Sequence, residues 1–272
     1  MFIKLGPNRR EVPVAVLVPN MVTTLALCSG LASLHFILSE RWTHALAAIF
    51  AAAIFDVLDG GAARLLRVSS KFGAVLDSLS DFLAFGVAPA MLLHQWILLP
   101  KTTRVIDTFS LVAVMVFAVC SALRLARFTS AIGNPTPATP KPATKHKTRV
   151  FFVGMPTPAA AGAVLVPAYL QASVQSGNTL NLNLTKLPEW AIAIYTLAIA
   201  LLMVSRIPMF ALKGLKISRR SVAPVMVVLA VVAVLLLKET WLTLAGLSVL
   251  YIATMPIAMW MHKKQKAADA SP

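Results

Sequence analysis

Residues 56–81 read DVLDGGAARLLRVSSKFGAVLDSLSD and join two long apolar segments of the chain. Four of the ten acidic residues fall within these 26 positions: Asp56, Asp59, Asp77 and Asp81. Their spacings of three and four residues place each pair on one face of a helix. Because a short turn joins the two segments, we expect antiparallel neighbouring helices. The two carboxylate pairs can therefore converge on one point.

The whole chain has the composition of a membrane protein. Of its 272 residues, 58% are hydrophobic and only 13% are charged, whereas an ordinary soluble domain has about 45–50% apolar residues. Apolar segments of about 20 residues, the length that crosses a bilayer, recur along it. We predict spans at 14–38, 43–66, 73–98, 105–129, 156–175, 189–206, 221–238 and 240–262. The predicted fold class is all-α, a polytopic membrane helix bundle with about eight transmembrane helices.

The distribution of basic residues predicts how the bundle is oriented. The net charge is +15, and 20 of the 25 Lys and Arg residues lie on the side of the membrane that would hold both termini. Basic residues beside spans collect on the cytoplasmic side and attract anionic lipid head groups. We therefore expect a multi-pass protein of the cytoplasmic (inner) membrane with cytoplasmic termini. The basic charge indicates contact with the lipid bilayer, and we expect no nucleic-acid partner.

The four aspartates indicate a metal site. Converging carboxylates in a low-dielectric setting repel one another unless a cation or protons neutralise them. Ligation by oxygen alone favours Mg²⁺, Mn²⁺ or Ca²⁺ over zinc, and two bridged ions could clamp a phosphate group for displacement. The alternative is that the acids pair with Arg64, Arg67 and Lys71 at a helix boundary. Neighbouring Gly60, Gly61 and Gly73 favour the metal site, since glycines within helices need a reason such as close approach of a ligand or helix.

The spacing of these residues carries a family resemblance. The pattern resembles the signature of the CDP-alcohol phosphatidyltransferases, which is matched here by Asp56-x-x-Asp59-Gly60-x-x-Ala63-Arg64, eight further residues, and Gly73-x-x-x-Asp77-x-x-x-Asp81. The resemblance implies a six-helix membrane core, which we place at residues 1–210. The last two predicted spans form a C-terminal transmembrane hairpin, which together with a basic tail makes up residues 211–272. It also implies a dinuclear metal site of Mg²⁺ or Mn²⁺ held by the four aspartates.

Flanking sequences narrow the resemblance to the bacterial phosphatidylserine synthases within this family. The similar blocks include residues 70–81, 85–89, 124–128 and 152–158. They imply transfer of the phosphatidyl group from CDP-diacylglycerol to L-serine, with release of CMP. Ala84 and Thr129 depart from the pattern, so choline, glycerol 3-phosphate and an inositol phosphate stay open as acceptors. A cation or proton transporter is a remote alternative, since a transport path would place ionisable groups near the midplane of the membrane.

The resemblance and side-chain chemistry together assign roles to individual residues. Asp56, Asp59, Asp77 and Asp81 are the expected metal ligands, and Asp81 is also the expected general base. The residues expected to contact CDP-diacylglycerol are Asn20, Gly60, Ala63, Arg64, Lys71 and Gly73. A guanidinium is the natural partner for the carboxylate of serine, so Arg124 and Arg127 are expected to bind it, unless they only anchor the cytoplasmic side. Whether the chain forms a homodimer is left open.

Overall fold

A computed structural model describes residues 2–3, 12–13, 17–66, 70–99, 104–133, 151–177, 188–205, 208–210 and 222–268. Long apolar helices make up most of these residues. The helices are α1 (Leu17–Leu38), α2 (Trp42–Leu66), α3 (Lys71–Asp81), α4 (Ala88–Leu92), α5 (Arg104–Gly133), α6 (Thr157–Val164), α7 (Val166–Gln175), α8 (Glu189–Val204), α9 (Val222–Lys238) and α10 (Thr240–Ala268). Two short antiparallel ladders join β1 (Phe2–Ile3) to β2 (Val12–Pro13) and β3 (Phe151–Val153) to β4 (Pro208–Phe210).

Apolar helices occupy all eight predicted segments. Among the described residues, four helices are long and apolar enough to cross a membrane: Leu17–Leu38, Trp42–Leu66, Lys71–Leu98 and Thr108–Arg127. Shorter apolar helices cover Glu189–Val204, Pro224–Lys238 and Thr240–Met255. The remaining predicted segment, 156–175, contains α6 and α7. The predicted all-α, polytopic membrane fold is confirmed. The boundary between core and hairpin at 210/211 stays a prediction, because the described residues stop at Phe210 and resume at Val222.

A tight turn sends α2 back along α1. Glu40 adopts a left-handed conformation with φ 55°. The Arg41 N–H donates to the Phe36 carbonyl at 2.9 Å, and the Glu40 N–H donates to the Ile37 carbonyl at 3.0 Å. This is the Schellman pattern that satisfies the last carbonyls of a helix. Farther along, the buried hydroxyl of Ser33 donates to the Ala45 carbonyl at 3.1 Å and links the two helices.

The third membrane helix changes its winding directly after the last of the four aspartates. It starts as α3, with the Ser70 hydroxyl accepting a hydrogen bond from the Gly73 N–H at 2.9 Å as the N-cap. Two π-helical segments, π1 (Phe82–Val87) and π2 (Leu93–Leu98), flank α4. Each π turn adds one residue per hydrogen-bonded ring, and such turns are frequent at functional sites.

The segment predicted as one span at 156–175 consists of two helices. α6 ends at Val164 and α7 begins at Val166. Pro167 lacks the N–H that would bond to the Ala163 carbonyl in a continuous helix. That carbonyl instead accepts a 2.6 Å hydrogen bond from the Tyr195 hydroxyl of α8. The Ala163 carbonyl is therefore paired despite the break, as an apolar surrounding requires.

α1 lies beside a space between α2 and α3. α1 contacts both of these helices, and α2 meets the third membrane helix at π1 and α4. Behind them, π1 packs on α5 and α6, and α10 packs on α6 and α7. The largest core cluster of buried side chains includes residues from α2, α4, π2, α5, α6, α7 and α8. This core packs the end of α1 at Ile37 and the start of α2, away from the aspartates at the other end of α2.

Candidate metal centre

Three of the four aspartates of the 56–81 stretch converge. Asp56 and Asp59 near the end of α2 and Asp77 on α3 each offer a carboxylate oxygen, and these oxygens lie within 4.8 Å of one another. Asp59 is buried, with 6% of its surface exposed, and the other two are half-buried. Oxygens at such separations can share one cation, so the geometry brings together the residues that the sequence predicts as ligands.

The surroundings of Asp59 fit a divalent cation. Its Oδ2 is buried and has no hydrogen-bond partner among the described residues. A buried acceptor without a donor is costly and requires an explanation such as an ion or ordered water. A set of carboxylates suits hard cations such as Mg²⁺ and Mn²⁺, which prefer oxygen ligands. The three aspartates are therefore suitable ligands for such an ion.

Asp81 lies beside this group but does not belong to the set of three. It is one helical turn beyond Asp77, where α3 ends. Its carboxyl interacts electrostatically with Asp56, Asp59 and Asp77. Three aspartates thus share one centre, and the fourth stands at its edge toward α5.

A cavity of about 200 Å³ opens beside the aspartates, between α1, α2 and α3. Four residues that the sequence predicts as substrate contacts line it: Asn20, Gly60, Ala63 and Gly73. The rest of its wall is formed by Pro19, Thr23, Asp59, Ser70, Ala74 and Asp77. Sequence reasoning missed Thr23 and Ser70 because neither stands at a defined signature position. The cavity therefore connects the metal centre with the first membrane helix.

Gly73 and Gly60 differ in whether the packing of the protein requires a glycine. A Cβ atom at Gly73 would lie 2.6 Å from Oδ1 of Asn20 and 2.9 Å from Oγ of Ser70, so the glycine makes room for the Asn20 side chain. At Gly60, and also at Gly61, a Cβ atom would meet nothing within 4 Å. Packing of the protein itself therefore does not require glycine at position 60, although this residue lines the cavity.

Arg64 and Lys71 are not at the cavity wall. Both are exposed. The Arg64 Nε donates to the Gly60 carbonyl at 2.8 Å, near the end of α2. A cation there compensates the negative end of the helix dipole. The structure thus gives Arg64 a helix-end contact and brings neither residue to the cavity, while Arg67 lies outside the described residues.

The two arginines predicted for serine differ in their surroundings. Arg124 is half-buried, and one of its terminal nitrogens donates to the Thr157 hydroxyl at 3.3 Å. It also interacts electrostatically with Asp81. Arg127 is exposed. Only Arg124 is therefore placed beside the aspartates, and its contact Thr157 is a residue that sequence reasoning did not single out.

The two positions that depart from the pattern of the phosphatidylserine synthases lie in different places. Thr129 reaches the third membrane helix, where its Oγ1 is 2.8 Å from Oγ of Ser78, the residue after Asp77. Ala84 is buried against Gly30, where an added Cβ atom would lie only 3.3 Å from the alanine. Thr129 thus ties α5 to α3, and Ala84 serves the close packing of α1 on π1.

Comparison with known proteins agrees with this site. The model of the CDP-alcohol phosphatidyltransferase family matches residues 16–177, which contain every aspartate of the centre. The chain belongs to this family. A second family model, described as CDP-alcohol phosphatidyltransferase 2, matches residues 220–256 in α9 and α10. The two matches fall in the two predicted parts of the chain. The protein is thus a membrane-embedded phosphatidyltransferase.

Curated relatives resemble this phosphatidyltransferase over nearly its full length. A Mycobacterium leprae protein named CDP-diacylglycerol–serine O-phosphatidyltransferase is 35% identical over 266 residues, which are 96% of this chain and 82% of the relative. A Mycobacterium tuberculosis protein of the same name is 32% identical over 269 residues, 97% of this chain and 87% of the relative. A third, from Bacillus subtilis, is 29% identical over 153 residues, 56% of this chain and 75% of the relative.

Proposed function

We propose that this phosphatidyltransferase transfers the phosphatidyl group of CDP-diacylglycerol to L-serine, giving phosphatidylserine and CMP. The observation that carries the proposal is the convergence of Asp56, Asp59 and Asp77 beside a cavity between α1, α2 and α3, which Asp59 and Asp77 line. The names of relatives that match nearly the whole chain support serine as the acceptor. The alcohol is thus inferred from relatives, and the chemistry from the site.

The aspartates are proposed to hold two divalent ions, Mg²⁺ or Mn²⁺. Asp56, Asp59 and Asp77 would bind the first, and Asp81 at the edge of the group would help to bind the second. When bound, the ions would neutralise the charge of the pyrophosphate and of the leaving CMP. The buried, unpartnered Oδ2 of Asp59 is the feature of the described residues that supports this assignment most directly.

The cavity is proposed to receive the cytidine and pyrophosphate part of the lipid substrate. Asn20 offers an amide beside Gly73, and Gly60 and Ala63 leave space along α2. Holding the nucleotide here would place the pyrophosphate against the aspartates. Such positioning supplies much of the rate enhancement in reactions that need little covalent chemistry from the protein.

Asp81 is proposed to act as the general base. It would accept the proton of the serine hydroxyl while the oxygen attacks the phosphorus that carries the diacylglycerol group. One P–O bond forms to serine, the bond to the bridging oxygen breaks, and CMP leaves with that oxygen. The position of Asp81 at the edge of the centre toward Arg124 supports this role, because an acceptor held by Arg124 would lie beside it.

The orientation predicted from the basic residues completes the proposal. The end of the bundle where α2 leads into α3 would face the cytoplasm, together with both termini. CDP-diacylglycerol would then reach the centre from the cytoplasmic leaflet of the inner membrane. Residues 1–210 would form the catalytic core, and residues 211–272 the hairpin and tail.

The test is an acceptor panel with purified protein in mixed micelles. CDP-diacylglycerol and Mg²⁺ or Mn²⁺ are supplied with one alcohol at a time, and CMP release and the lipid product are measured. We expect CMP and phosphatidylserine with L-serine, and little product with choline, glycerol 3-phosphate or inositol phosphate. Preference for one of those alcohols would overturn serine as the acceptor but leave the chemistry standing. Absence of CMP with every alcohol would overturn the enzymatic proposal.

A further inference from the structure

Beyond the signature residues, the C-terminal hairpin brings a tyrosine close to the candidate site. α10 packs against α6. The approach is close at Gly162 of α6, where a Cβ atom would lie 3.1 Å from Oγ of Ser248. Tyr251 is three residues farther along α10 and therefore shares the face of Ser248. Tyr251 also interacts electrostatically with Arg124, so the hairpin brings it close to this residue of α5.

The start of α6 contacts Arg124. Thr157, the first residue of α6, accepts the hydrogen bond from Arg124. Arg124 interacts electrostatically with both Tyr251 and Asp81. The guanidinium is therefore close to both the aspartate proposed as base and the tyrosine of the hairpin.

Two buried hydrogen-bonding atoms in this region have no partner among the described residues. They are the Nε of Arg124 and the hydroxyl oxygen of Tyr251. Burying such groups unpaired is costly, and an unpaired charged donor is especially so. Because Arg124 interacts with both Tyr251 and Asp81, the two unpaired atoms are suited to bind one polar ligand near this aspartate. A carboxylate fits best, because it accepts from a guanidinium edge and a hydroxyl at once.

We propose that Tyr251 is an acceptor-binding residue, and that its hydroxyl and the Nε–H of Arg124 together bind the carboxylate of the incoming amino acid. This inference rests on the function proposed above and adds the hairpin to the active site. Serine carries its carboxylate and its hydroxymethyl group on the same carbon atom. An acceptor held at Arg124 would therefore present its hydroxyl toward Asp81.

The test compares Tyr251→Phe with the matched control Tyr195→Phe in the full-length protein. The first variant removes the hydroxyl proposed to bind the acceptor and keeps the ring. The second removes the hydroxyl that donates to the Ala163 carbonyl in the core. For Tyr251→Phe we expect the KM for L-serine to rise about tenfold or more, the usual effect of losing a hydrogen bond to a charged group. Its kcat and its KM for CDP-diacylglycerol should stay unchanged, as for a lost contact that serves binding alone.

The control separates acceptor binding from general stability. Tyr195→Phe should lower the melting temperature and leave the KM for L-serine unchanged. Because KM does not depend on how much folded enzyme is present, partial unfolding of either variant does not hide the result. If the wild-type enzyme is active and Tyr251→Phe has an unchanged KM for L-serine, only this inference is overturned. The Tyr251 hydroxyl and the Nε of Arg124 would then be paired by water. Wild-type protein that makes no phosphatidylserine would instead overturn the proposed function.

Discussion

Replacing Gly60 with alanine adds one methyl group at the wall of the cavity. Because a Cβ atom there meets nothing within 4 Å, the methyl group strains no contact of the protein. Alanine is favoured over glycine within a helix by about 1 kcal/mol, so the variant should fold at least as well as the wild type. If the substrate fills this space, the methyl group acts as overpacking, which costs about 1–3 kcal/mol. The KM for CDP-diacylglycerol should then rise by about 5- to 150-fold.

Gly61→Ala is the matched control for this prediction. Gly61 is the next residue of α2, a Cβ atom there also meets nothing within 4 Å, and it does not line the cavity. The assay is CMP release in mixed micelles at varied CDP-diacylglycerol, with melting temperatures measured in parallel. We expect only Gly60→Ala to raise the KM. Wild-type values in both variants would refute the placement of substrate at Gly60, and equal impairment of both would assign the effect to α2 in general.

Two further predictions concern the base and the fold. Asp81→Asn should lower kcat by about 100- to 10,000-fold, the usual contribution of a general base. CMP release at the wild-type rate would contradict the assignment of Asp81 as the base. Gly154→Ala should lower the melting temperature more than Gly177→Ala does. The alanine at position 177 adds only the strain of a left-handed backbone conformation, about 1–2 kcal/mol. Both glycines have positive φ, but a Cβ atom at Gly154 would also lie 2.8 Å from the Met203 and Ser205 carbonyl oxygens. Equal melting temperatures would contradict the contribution of that clash.

The helices were predictable because the membrane imposes a strong pattern. Every predicted apolar segment contains helix, since a chain in lipid must satisfy its backbone hydrogen bonds within each segment. The break at Leu165 was not predicted, although Pro167 is visible in the sequence. A proline in a membrane helix does not reveal whether the helix kinks or ends. Here the outcome depends on Tyr195 of α8, which is distant in sequence and supplies the missing hydrogen bond.

The site was predictable only in part. The spacing of residues shows which side chains share one face of a helix, but it does not show which other helix that face contacts. The spacing of Asp56, Asp59 and Asp77 was sufficient to predict that these residues converge. The spacing of Arg124 and Arg127 suggested equal roles, yet Arg124 is half-buried and Arg127 is exposed. Which of two residues three positions apart on α5 faces the core depends on how this helix packs against its neighbours. No local pattern marks this choice.

Tyr251 illustrates the contacts that sequence reasoning misses entirely. It lies 170 positions beyond Asp81 on a helix without diagnostic motifs. Its relation to Arg124 follows from the close approach of α10 to α6 at Gly162. Such an approach depends on small residues on two helices that are far apart in the chain. A glycine in one helix does not identify its partner.

Anomalous X-ray diffraction from crystals grown with Mn²⁺ tests the proposed metal centre most directly. The anomalous signal locates the ion without assuming its ligands. We expect a peak bounded by the carboxylates of Asp56, Asp59 and Asp77, which is lost in Asp59→Asn. A peak elsewhere in the molecule, or none at saturating Mn²⁺, would contradict the assignment of these aspartates as the metal centre of the transferase.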